Sequence, residues 1–239
     1  MAVSMANQAT DSGYRYERKF VVAGCEAADL EDLLRLAPGC FREVHRARHV
    51  NNIYLDTRTM DFFSANVMGL SQRLKARVRW YGELLGAIAS PVLELKIRSS
   101  SVGTKKSFPL DPFSLEVGTT TREIEKALKP LPPATHLLIS TLRPVLLNRY
   151  RRKYYLSADG RFRITIDREL VYRGIDVLTN HFMRREVQVG ETVLELKYDK
   201  EYAEDADPIT QFFGFRMTKS SKYVNGIKRV DIRYAGVRV

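Results

Sequence analysis

Residues 73–82, RLKARVRWYG, carry a basic side chain at every second position: Arg73, Lys75, Arg77 and Arg79 alternate with Leu74, Ala76, Val78 and Trp80. A β-strand sends successive side chains to opposite faces, so as a strand this stretch presents cations on one side and apolar groups on the other. The same spacing returns at Glu17 and Lys19, at Glu94, Lys96 and Arg98, at Arg161, Arg163, Thr165 and Asp167, and at Glu195 and Lys197. At least five strands therefore carry a charged face. Strands that alternate this way, joined by short polar turns and interspersed with a few helices, predict an α+β protein with an antiparallel sheet.

The other elements follow from periodicity and punctuation. YRYERKFVV (14–22) reads as a first strand, VNNIYLDT (50–57) as a second, 71–81 as a third and PVLELKIRS (91–99) as a fourth. The residues from there to 108 read as a polar loop or strand edge. PVLLNRYRRKYYL, GRFRITIDREL, RREVQV and TVLELKYD supply later strands. Helical spacing marks 26–37, ended by Pro-Gly, and 121–129, with Thr at the cap and Pro130 at the end. A short helix is expected over 134–142. TKSSKYVNGIKRV predicts a C-terminal helix capped by Thr218.

With 239 residues the chain can bury a substantial core. Residues 1–13 read as a disordered lead-in without the features of a signal peptide, and 14–239 as one domain. Lys plus Arg number 39 against 28 Asp plus Glu, a net charge of +11 that points to an anionic partner. Cys25 and Cys40 form neither a disulfide framework nor a metal motif and read as reduced, mostly buried thiols of a cytoplasmic protein. The apolar runs are too short for a membrane segment. There is no Walker A motif.

Alternation alone describes a sheet with one face on the core and the other in water. Two features favour something more specific. Like charges two apart on one face are mildly unfavourable, and Arg, which dominates here, is the side chain best shaped to grip oxyanions. The sharper alternative to that plain sheet is an antiparallel β-barrel of about eight strands, its charged faces turned inward on a polyanion and a divalent metal. Helices would flank such a tunnel, the C-terminal one near a mouth.

YERKF, NNIYLDT, ARVRWYG, LELKIR, YRRKYY, RITIDREL, LELKYD and KSSKYVNG, in this order from Tyr14 to Arg233, resemble the VTC domain. This is the catalytic domain of vacuolar transporter chaperone-type polyphosphate polymerases, in the CYTH-like triphosphate tunnel metalloenzyme superfamily. The resemblance implies a polymerase that moves the γ-phosphate of ATP, or another nucleoside triphosphate, onto a growing polyphosphate chain with Mn²⁺ or Mg²⁺. It assigns Arg77, Arg79, Lys96, Arg152 and Arg163 to the reacting phosphates. Lys19, Lys105 or Lys106, Lys197, Lys219 and Lys222 fall to further phosphate contacts, and Glu195 and Glu17 to the metal.

Each assignment competes with a plainer one. Glu94 reads as an ion-pair partner of a neighbouring Arg, and Lys219 and Lys222, three apart, as one face of a helix that is either solvated or docked over the tunnel. The four histidines fall in no motif. A polyphosphate end is already an ionised nucleophile, so a general base is not required. The same fold with water as acceptor would be a triphosphatase. A non-catalytic polyanion binder is the remaining alternative. NRYRRKYY interleaves basic and aromatic residues as single-stranded nucleic acid binders do, but no nucleic-acid fingerprint accompanies it and no specific nucleic acid is expected.

Overall fold

In the computed structural model, residues 15–25, 27–99, 102–129, 131–176, 180–182 and 185–236 are described. The expected disordered segment 1–13 lies outside them. Along the chain the elements are β1 (Arg15–Ala23), α1 (Ala27–Leu36), β2 (Arg42–Asp56), α2 (Asp61–Val67), β3 (Gln72–Tyr81), β4 (Gly86–Ile88), β5 (Val92–Ser99) and β6 (Val102–Pro109). They continue with β7 (Phe113–Leu115), α3 (Thr121–Lys126), α4 (Pro133–Ser140), β8 (Arg143–Leu156), β9 (Arg163–Gly174), β10 (Arg185–Gln188), β11 (Glu191–Asp199), α5 (Ala206–Phe213) and α6 (Lys222–Val230). The stretch after 99 that reads as a loop or edge is mostly strand β6, and α2 and α5 have no counterpart in the sequence reading.

The main sheet has the order β1-β11-β9-β8-β2-β3-β5-β6, with β10 added to β9, while β4 and β7 pair separately. Every strand pair among the described residues is antiparallel. The α+β class stands, but the sheet does not close: β1 and β6 are its two edges, and the expected barrel tunnel is corrected to an open sheet. One cause lies at β1. Phe20 bridges Met217, and the Thr218 N–H donates to the Lys19 carbonyl at 2.8 Å, so this segment takes up edge positions that β6 would need. The other cause lies in β6 itself, VGTKKSFP, whose lysines and terminal proline suit a protected edge.

The sheet is nevertheless strongly curled. Lys96 on β5 reaches Glu17 on β1 at 3.2 Å, although these strands stand near opposite ends of the order. The result is a trough. Alternation decides what faces it: on β3, Ala76, Val78 and Trp80 are buried in the core beneath, and the intervening basic residues point into the trough. That core holds Ile53, Leu93, Leu95 and Leu147 of the sheet against Leu115, Ile124 of α3 and Ile139 of α4. A second core packs Phe20, Ile164, Ile166, Leu194 and Leu196 against Leu30 and Leu34 of α1 and Ile209 and Phe213 of α5. The outer face is thus apolar and covered on both halves.

Three local points change the sequence reading. Ser221, not Thr218, is the N-cap of α6, its hydroxyl accepting from the Val224 N–H at 3.4 Å. Lys219 consequently precedes the helix and does not share its face with Lys222. Cys40 is exposed and Cys25 half-buried, so neither thiol is buried as expected.

Candidate active site

The trough is apolar at one end. There Val50, Tyr54, Leu146, Tyr150, Leu170, Tyr172 and Val193 receive Tyr223, Val224, Ile227 and Val230 of α6. Contact is close because residue 226 is glycine: a Cβ at that position would lie 2.5 Å from Leu146 Cδ2 and 2.6 Å from Tyr172 Cδ1. The register of β9 also contributes. Glu169, at φ 54, sits beside a bulge between β8 and β9, which lets Asp167 and Tyr172 face the trough together. Asp56 ties α6 to α2 by accepting from the Phe62 N–H at 2.9 Å, the Phe63 N–H at 2.8 Å and the Tyr223 hydroxyl.

The charged end begins where α6 starts. Arg77 donates to Glu94 at 2.6 Å and to the Tyr54 hydroxyl at 3.4 Å. Arg79 donates to Asn52 Oδ1 at 2.9 Å and the Tyr150 hydroxyl at 3.3 Å, and lies 3.4 Å from Glu94. Arg152 grips Asp167 in a two-pronged contact at 2.5 and 2.6 Å, and Lys222 reaches the same carboxylate at 2.6 Å. Arg152 and Lys222 also lie over the Tyr150 ring, 5.2 and 4.7 Å from its centroid. Lys19 contacts Glu17, and Glu195 at 3.4 Å; Lys197 contacts Glu195 at 2.5 Å.

These pairings set the titration of the site. Burial pushes the Asp167, Glu94 and Glu195 carboxyls up, but the surrounding cations more than offset it and hold all three below the usual carboxylate range. Burial lowers Lys19, but Glu195 and Glu17 raise it further still. Lys75 is the exception. It donates to the Ser221 hydroxyl at 2.9 Å, and burial first, then Lys19, Lys96, Arg77 and Arg73, lower it to about 7.

The predicted residues are unevenly grouped. Arg77, Arg79, Arg152, Lys19, Lys222, Glu17 and Glu195 come together in the partly buried trough. Lys96 and Lys105 face it from the β5–β6 side and are more exposed, Lys96 on Glu17 and Lys105 on Glu94 at 2.6 Å. Lys106 pairs in register with Leu95, the outward parity, so of the two loop lysines Lys105 is the one on this face. Lys197 and Arg163 are register partners toward the far end, and Arg163 is exposed. Lys219 stands outside the helix, as above. Asp167, Lys75, Asn52, Tyr150 and Ser221 were not singled out as site residues. Only the period-two spacing of Lys75 and Asp167 could have flagged any of them.

Among the described residues no group of three or more His, Cys, Asp or Glu side chains could hold a metal unaided. Glu17 and Glu195 do lie together, sharing Lys19. Two carboxylates match what Mg²⁺ takes when phosphate oxygens and water complete its shell. The donor set therefore fits a cation that arrives with its phosphate ligand, and not one held by protein alone. Cavities of about 620 Å³ and 980 Å³ lie elsewhere, and none of the predicted site residues lines either. Among the described residues no helix is long and apolar enough to cross a membrane.

No curated protein matches the chain. Among solved structures, a candidate adenylate cyclase from Vibrio parahaemolyticus superposes with a TM-score of 0.53 at 11% identity, over 89% of this chain and 98% of that one. Weaker likenesses are to a protein from Pyrococcus horikoshii (TM-score 0.49, 14% identity, 89% and 97% covered) and to a candidate adenylyl cyclase from Hippeastrum described as having a dominant triphosphatase activity (0.47, 16%, 87% and 93%). Identities this low concern the fold alone. The VTC domain family matches residues 14–230, and the chain belongs to that family, within the CYTH-like triphosphate tunnel metalloenzyme superfamily.

Proposed function

We propose that this protein is a polyphosphate polymerase that transfers the γ-phosphoryl group of ATP to the end of a polyphosphate chain. The observation that supports it best is the gathering of Arg77, Arg79, Arg152, Lys19 and Lys222 in one trough, on β3, β8, β1 and the first residue of α6. Phosphoryl transfer needs positioning and charge neutralisation more than it needs covalent help. Forked guanidinium groups on strands supply both from a rigid frame.

In the reaction a terminal oxygen of the chain attacks the γ-phosphorus. The new P–O bond forms as the β–γ bond breaks, and ADP leaves with the bonding electrons. Arg77 and Arg79 would bind the triphosphate in exchange for Glu94, and Arg152 and Lys222 would orient the acceptor end. A divalent metal, held through Glu195 and Glu17, would neutralise phosphate oxygens. An open trough can hold a long linear anion along its strands, which a pocket for three phosphates would not do.

The test is primed extension. With ATP and Mn²⁺ or Mg²⁺, short polyphosphate should shorten any lag in chain growth, and EDTA should stop it. Glu195→Gln should blunt the recovery when metal is restored. ADP and single phosphate with no longer products, even when primed, would contradict the reading.

A further inference from the structure

Three lysines stand directly opposite one another across three strands: Lys75 of β3 pairs with Lys96 of β5, and Lys96 pairs with Lys105 of β6. Like charges directly opposed in a sheet are destabilising. Two of the three are matched, Lys105 by Glu94 at 2.6 Å and Lys96 by Glu17 at 3.2 Å. Lys75 is not. Its hydrogen-bond partner is the Ser221 hydroxyl at 2.9 Å, at the cap of α6. The charged groups acting on it are Lys19 from β1, Lys96 from β5, and Arg77 and Arg73 from its own strand, all cations. No carboxylate is in ion-pair contact with it among the described residues.

We propose that Lys75 is a further phosphate contact of the trough, an uncharged amine in the empty protein that becomes an ammonium by taking up a proton when a polyanion binds. The inference rests on the functional reading above and deepens it. A half-buried ammonium among cations is costly, and losing the proton removes that cost. The lowered pKa of about 7 agrees with this geometry. A phosphate entering beside Ser221 and Lys96 would supply the missing counter-charge and restore the proton affinity of the amine. The proton passes from buffer to Nζ, and no covalent bond changes. Binding should consequently weaken as pH rises above the free value, because the complex then has to draw its proton from a scarcer supply.

The experiment is calorimetric titration of the whole protein with inorganic tripolyphosphate at about pH 8 and about pH 6, in buffers of different ionisation enthalpy. No nucleotide is present, so no turnover intrudes. At the higher pH the wild-type protein should take up close to ~1 more proton per bound ligand than Lys75→Arg, whose guanidinium is always charged; at the lower pH this excess should disappear. Lys75→Arg should still bind, and Lys75→Met should bind about tenfold more weakly through loss of a charged contact. Equal proton uptake by wild type and Lys75→Arg at the higher pH would overturn the inference while leaving the functional reading intact. Failure of the wild-type protein to bind tripolyphosphate would overturn both.

Discussion

At the residue scale the site is organised by buried carboxylates that each hold more than one cation. Asp167 has no solvent exposure and receives both Arg152 and Lys222. Removing its charge would leave two cations facing each other without a counter-ion. Asp167→Asn should therefore lower stability by about 3–5 kcal/mol, the usual cost of breaking a buried pair, as read by denaturant unfolding. The folded-state pKa of Asp167 is depressed. Its contribution is thus full above the unfolded carboxyl value near ~4 and is lost as pH falls through the lower folded one. Lys75 behaves in the opposite sense. Its folded value of about 7 lies below the unfolded lysine value of about 10.4, so the unfolded chain binds more protons between them and stability rises with pH across that window. Lys75→Met should flatten that rise and increase the melting temperature near neutral pH, measured by thermal unfolding from about pH 6 to about pH 10. A melting temperature that falls at neutral pH would show that the amine is not a source of strain.

At the element scale α6 decides the shape of the site. Its apolar face is pressed onto β8 and β9 through Gly226, and its first turn carries Lys222 to Asp167 while its cap, Ser221, meets Lys75. Gly226→Ala should push the helix outward, costing about 1–3 kcal/mol by overpacking and weakening tripolyphosphate binding with it. Retained binding together with lost stability would mean that helix position and anion binding are independent. The strands were legible in the sequence because period-two alternation is a local property: a charge at Arg77 and a leucine at Leu74 declare their faces without reference to anything distant. The helix cap was less so. Thr218 and Ser221 are both good capping residues, and Thr218 was taken instead by the edge of β1, a contact between residues far apart in the chain. The sides of Lys105 and Lys106 likewise follow only once β6 is in register with β5.

At the scale of the whole molecule, barrel closure was the one large feature misread. Alternating charge says that a face is set apart from the core; it does not say whether the edges of the sheet meet. Here the chain before α6 lies along β1, and side chains such as Lys96 and Glu17 cross the gap that backbone pairing leaves open. Arg77, Arg79 and Arg152 of the proposed site lie in strand motifs that the sequence alone displays, so their common face is legible without the fold. Asp167 escapes the sequence reading as a partner because the cations it holds, Arg152 of β8 and Lys222 of α6, come to it from separate parts of the chain. As proposed above, this trough joins phosphates into chains. The most direct measurement follows the γ-phosphate: the purified protein is incubated with γ-labelled ATP and Mn²⁺ or Mg²⁺, with short polyphosphate as primer, and the products are resolved by size. Label appearing in phosphate chains that lengthen with time, with ADP released in step, is the predicted result. Label recovered solely as single phosphate, or remaining in ATP, would contradict it.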